Sequence, residues 1–129
     1  MGTCYSVTLK VRLKDEECAI KALNEHIAKD TGVDYSLDEY NSIGASPDTF
    51  DGLMKILLSD EQRKVTIYQH GQFRIYENDF DASYGWERVM MEWFEVLAPF
   101  LEDRSVLLIY PDSDYDKLVI KNGKCVQVH

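Results

Sequence analysis

Tyr5-Ser6-Val7-Thr8-Leu9-Lys10-Val11-Arg12-Leu13-Lys14 alternates apolar and polar side chains without a break. Such period-two patterning predicts a strand with one buried and one wet face. Immediately after it, Asp15 is placed to cap a helix that carries Cys18, Ala19, Ala22, Leu23 and Ile27 on one side and stops at Gly32. The stretch Val33–Ala45 has no period and reads as an irregular excursion. Ser46-Pro47-Asp48 reads as a helix start, serine at the cap and proline in the first turn. Phe50, Leu53, Met54 and Leu57 then recur at helical spacing, so a short amphipathic helix is expected to about Ser59.

Two strands follow, around Val65–Gln69 and Phe73–Tyr76, joined near His70-Gly71. A three-residue or bulged connection is expected there, because it would put Val65, Ile67, Phe73 and Ile75 on one face. The strongest core signal is a long helix from about Tyr84 to Leu101. Trp86, Val89, Met90, Trp93, Phe94, Val96, Leu97, Phe100 and Leu101 fill one arc of it, and Glu87, Arg88, Glu92, Glu95 and Glu102 fill the other. Met91 and Ala98 are the apolar residues stranded among those charges, and Pro99 is expected to bend the last turn. Val106–Tyr110, Lys117–Lys121 and Lys124–Val128 close the chain as strands. Asn122-Gly123 joins the last two, a type I′ hairpin signal because both central residues need positive φ.

The resulting order, β-α-α-β-β-α-β-β-β, contains the β-α-β-β-α-β pattern of a ferredoxin-like split unit. The expected architecture is therefore a single α+β domain over residues 1–129, a two-layer sandwich with an extra short helix and a C-terminal β-hairpin. A chain of 129 residues can bury roughly two-thirds of its unfolded surface unaided.

Charge is distributed unevenly. Three windows, Val33–Met54, Ile75–Glu87 and Ser105–Asp116, hold 12 of the 23 acidic residues and no Lys or Arg, which leaves 11 acids against all 14 bases elsewhere. The net charge of −9 is thus made locally, in segments that read mostly as loops. Each window also carries tyrosine: Tyr35 and Tyr40, Tyr76 and Tyr84, Tyr110 and Tyr115. One-signed clusters speed encounter with an oppositely charged partner, and tyrosine gives contact area at small entropic cost. The windows are expected to converge on a single negatively charged face, and the residues expected to touch such a partner are Asp38, Glu39, Tyr40, Asp79, Asp81, Tyr84, Asp112, Asp114 and Tyr115. The same acidity argues against binding nucleic acid or anionic membranes.

Signals for chemistry are weak. Asp112, Asp114 and Asp116 alternate as in a calcium loop, but Lys117 stands where the turn wants glycine and Gly123 where a bidentate glutamate belongs. Asp79 and Asp81 precede the long helix and can be read as dipole or capping acids, or as a carboxylate pair. His26, His70 and His129 have no metal-ligand spacing. No nucleotide-binding loop or nucleophile elbow is present, so no catalytic residue, metal site or cofactor is expected. Cys4, Cys18 and Cys125 form no disulfide framework and point to a reducing cytoplasm; Cys18 and Cys125 fall at core-like positions.

In size, acidity and α+β organisation the chain is similar to small bacterial immunity proteins, and that likeness implies a toxin-neutralising partner interaction. The expected function is therefore a non-catalytic module that engages a basic protein, of the immunity or inhibitor kind. The alternatives are a small carboxylate-based enzyme or divalent-metal-binding domain, and a structural subunit that oligomerises through a sheet edge or the exposed Met91 side of the long helix.

Overall fold

Tyr5, Val7, Leu9 and Val11 are each at most 2% exposed, so the alternation that opens the chain sorts its first strand as expected. A computed structural model of the protein describes residues 2–30, 44–111 and 116–128. Its elements are β1 (Gly2–Val11), α1 (Glu16–Lys29), α2 (Phe50–Leu58), β2 (Thr66–His70), β3 (Phe73–Ser83), α3 (Trp86–Leu97) with a 3-10 turn over Ala98–Phe100, β4 (Val106–Pro111), β5 (Asp116–Lys121) and β6 (Lys124–Val128). The strands form one antiparallel sheet in the order β2-β3-β1-β4-β5-β6, with β1 between β3 and β4. The described residues thus make an α+β fold of six antiparallel strands and three α-helices. The expected ferredoxin-like core is a four-stranded plan, and the observed order is not that of a simple β-α-β-β-α-β core, because β5 and β6 extend the sheet beyond β4.

The helices cover one face, and the core lies between them and Tyr5, Val7, Leu9, Tyr76, Phe80, Leu107, Ile109, Leu118 and Ile120. In α1, Asp15 accepts the Cys18 amide at 3.0 Å and caps the helix, while Ala19 and Leu23 bury its inner stripe. Cys18 is exposed, contrary to expectation. At about 100° per residue it lies roughly 140° around the helix from Leu23, outside the stripe. Cys125 is half-buried against the core, and Cys4 is exposed.

α2 begins later than the Ser46-Pro47 signal predicts. Asn24 donates to the Pro47 carbonyl at 2.8 Å and ties this segment to α1. Ser46 accepts the Asp48 amide at 3.1 Å in a local turn, and Thr49 caps the helix by accepting the Gly52 amide at 2.9 Å. Ser46 lies so close over the first turn that a Cβ on Gly52 would meet its carbonyl oxygen at 2.1 Å.

The β2–β3 connection is a two-residue turn at Gly71-Gln72, with His70 opposite Phe73 and Gly71 at φ +62°. Ile67 therefore faces the helices beside Tyr76, and Ile75 points to the other side beside Tyr68. This overturns the expectation that Val65, Ile67, Phe73 and Ile75 share a face. The Asn122-Gly123 turn has positive φ at both residues, +54° and +72°, with Lys121 opposite Lys124.

α3 buries Trp86, Val89, Met90, Trp93, Phe94 and Leu97, the expected arc. Its last turn tightens into the 3-10 segment at Pro99, with the Ala98 amide bonded to the Glu95 carbonyl. Ala98 is buried and Met91 packs against the core, so neither is stranded. The reason is that α3 meets α1 and β6 as well as β4, which covers more than a single stripe.

Candidate functional site

The opposite face of the sheet carries no helix among the described residues. Strand alternation brings Cys4, Ser6, Thr8 and Lys10 of β1 onto it, opposite Asp81, Asp79, Glu77 and Ile75 of β3, with Phe73 next along that side of β3. Tyr68, Val106, Leu108, Tyr110, Val119, Val126 and Val128 share this side by register, as do Lys117, Lys121 and Lys124 toward the β5–β6 edge. Of the large apolar residues that stay exposed, Tyr68, Tyr110, Val126 and Val128 all lie here. Exposed apolar area is thus concentrated on one surface, which is where interaction sites are found.

Its acids gather in one corner. Glu77, Asp79 and Asp81 occupy alternate positions of β3, about 7 Å apart along the strand. Asp79 and Tyr110 both stand opposite Ser6, one on each side of β1. Tyr68 donates its hydroxyl to the Glu77 carboxylate, and that bond is the main cause holding its phenol above the ordinary range. Ser6, Thr8, Arg63, Thr66, Glu77 and Asp79 line an open groove of about 520 Å³ across this corner.

The basic residues leave the corner largely uncompensated. Arg63 approaches Asp81 at 4.0 Å with both side chains well exposed, a pair that adds little energy. Its guanidinium also donates to the Asp79 carbonyl at 3.4 Å. Lys10 places its Nζ 4.5 Å from the centre of the Phe73 ring, toward the far end of the face. Arg74 is on the helix side, bonded to Asp51 at 3.2 Å and Glu16 at 3.0 Å.

The loop after α2 shapes the outer edge of β3. Asp60 accepts the amides of Gln62 at 2.8 Å, Arg63 at 2.6 Å and Asp81 at 2.9 Å. Asn78 donates to the carbonyls of Leu58 at 2.8 Å and Arg63 at 2.9 Å. Ser59, buried, accepts the Val65 amide at 2.9 Å. Beyond the end of β2, these side chains do for β3 what a neighbouring strand would do.

Of the residues expected to touch a partner, Asp79 and Asp81 come together on this face, and Tyr84, 88% exposed, lies just past the end of β3. Asp38, Glu39, Tyr40, Asp112, Asp114 and Tyr115 lie outside the described residues, as does the Asp112–Tyr115 part of the calcium-like loop. Three readings are corrected. The window Ile75–Glu87 is mostly strand, not loop. Asp79 and Asp81 do not cap α3, whose cap is Gly85 with no side-chain bond. The acidic windows do not all face one way, since Asp51 is held by Arg74 and Tyr76 and Glu87 accepts the Tyr5 hydroxyl, both on the helix side.

The Arg74 cluster is a clamp. Tyr76 donates to Asp51 at 2.5 Å while Arg74 bonds both, tying β3 to α1 and α2. Burial, then the bond to Asp51, pushes the Tyr76 phenol far above its ordinary range, which leaves it a poor acid or base. Elsewhere among the described residues, His26, Asp30 and Glu92 bring three side chains with metal-ligand atoms into one cluster.

Glu77, Tyr68 and Tyr110 were not singled out from sequence as contact residues. The alternation Tyr76-Glu77-Asn78-Asp79-Phe80-Asp81 was the available signal, with acids on one face and larger residues on the other. No family model, curated protein or solved structure matches the chain.

Proposed function

We propose that the protein is a non-catalytic binding module whose helix-free sheet face engages a cationic protein surface, a function of the immunity or inhibitor kind. One observation carries this reading: Glu77, Asp79 and Asp81 stand at alternate positions on a sheet face that no described helix covers, beside the exposed Tyr68 and Tyr110. An acidic corner next to aromatic contact area suits a basic partner, with carboxylates steering approach and tyrosines supplying buried area. If the partner were a nuclease, these carboxylates would occupy the place of nucleic acid phosphates in its basic cleft. On the same basis, β2-β3-β1-β4 with α1 and α3 is read as a ferredoxin-like unit to which the β5–β6 hairpin adds a wider platform.

The test is side-chain footprinting of the complex with the cationic protein that co-purifies from the native cell. Tyr68 and Tyr110 are expected to lose reactivity on binding, while Cys18, on the outer side of α1, keeps it. Protection of Cys18 with Tyr68 and Tyr110 unchanged would place the interface on the helices and overturn the reading.

A further inference from the structure

On the opposite side of the molecule, His26 and Asp30 are four residues apart at the C-terminal end of α1, a spacing that puts both on one side of the helix. Glu92 reaches the same place from α3, which packs against α1. One imidazole nitrogen of His26 and one carboxylate oxygen from each of Asp30 and Glu92 lie within 4.8 Å of one another, all three residues being half-buried. The backbone at Asp30 is fixed, its amide bonded to the carbonyls of His26 at 3.0 Å and Ile27 at 3.3 Å.

A second observation concerns the histidine itself. Its Nε2 is shut off from solvent and has no hydrogen-bond partner. A buried polar atom without a partner is costly, and native structures retain few of them. A divalent cation can take an imidazole lone pair of His26 and a carboxylate oxygen from each of Asp30 and Glu92 in this cluster.

We infer that His26, Asp30 and Glu92 bind a first-row divalent transition-metal ion of the zinc class. One nitrogen and two oxygen donors suit that class, whereas calcium and magnesium prefer all-oxygen shells. Bonds of about 2.0–2.2 Å require donor atoms roughly 3.3 Å apart, so the three side chains close by an ångström or so on loading. Half-buried side chains at a helix end and on a helix face have the freedom to do this. Three protein ligands leave at least one position for water. The ion ties the end of α1 to α3, and the site is independent of the sheet face.

The experiment titrates zinc chloride into the full chain after chelator treatment, followed by calorimetry and thermal melting, with cobalt(II) absorption as a second probe. One ion per chain and a rise in Tm that grows with free zinc are expected. His26→Gln and Glu92→Gln should each weaken binding by at least about tenfold, and Asp30→Asn serves if either fails to fold. Asp81→Asn, on the sheet face, should bind as the unsubstituted chain does. Cobalt absorption without a thiolate charge-transfer band is expected, since Cys4, Cys18 and Cys125 take no part. No uptake, uptake equal in the three ligand variants, or a thiolate band would each overturn the inference, and none would bear on the sheet-face reading.

Discussion

Asp60 receives three backbone amides, from Gln62, Arg63 and Asp81, and through the last of these it pins the acidic end of β3. Partial burial raises its pKa, but the three amide bonds and the nearby Arg63 charge outweigh that and hold the carboxyl below the ordinary carboxylate range. A pKa lowered by folding contributes stability above the ordinary range and loses it as pH falls through the native value. Asp60→Asn should therefore lower stability at neutral pH, with the gap to the unsubstituted protein shrinking as pH falls below the ordinary carboxylate range and through the lowered native value. Urea denaturation as a function of pH checks this. A gap that stayed constant on acidification would mean the carboxylate charge contributes nothing. Asp60 itself was not legible in the sequence, because an acid after a helix is ordinary and its third donor, Asp81, is distant in the chain. Cys18 was misread for a simpler reason: an apolar residue type was credited to a stripe that the helical period excludes.

At the scale of elements, the parts fixed by local chemistry were the readable ones. Asn122-Gly123 demanded positive φ twice and obtained it, the alternation from Tyr5 made β1, and the aromatic arc made α3. What failed depended on distant partners. α2 starts after Thr49, its cap, while Pro47 is held to α1 by Asn24 and Ser46 bonds locally to the Asp48 amide. β3 runs past Tyr76 to Ser83, because acids that read as a loop signal belong at alternate positions on a half-solvated strand. The hairpin register was misjudged by assuming that Ile75 must join the main core; it is buried instead on the other face of the sheet. Gly52 gives an element-scale prediction. Glycine to alanine in a helix is ordinarily favourable by up to about 1 kcal/mol. Here the added Cβ meets backbone atoms of Ser46 at 2.1 and 2.6 Å, so either that segment or α2 must move. Gly52→Ala should destabilise by about 1–3 kcal/mol in chemical denaturation. A neutral or stabilising result would show that Ser46 does not sit over the first turn of α2.

For the whole molecule, three described helices on one side leave the other face of the six-stranded sheet without a described cover, acidic at its β3 corner and cationic at Lys10 of β1 and at Lys117, Lys121 and Lys124 of β5 and β6. None of the described helices is long and apolar enough to cross a membrane. Acidity was readable from composition, and its placement was not, because the face on which a carboxylate emerges depends on strand register. The functional reading rests on that placement, since only acids sharing an open surface with exposed tyrosines act together on a partner. The most direct measurement is the association rate with the cationic partner across a range of ionic strength, for the native chain and for Glu77→Gln/Asp79→Asn/Asp81→Asn. The native chain should associate fast at low salt and slow steeply as salt rises, with the triple variant about tenfold slower at low salt and nearly flat. Equal rates and equal salt dependence in the two proteins would contradict the account.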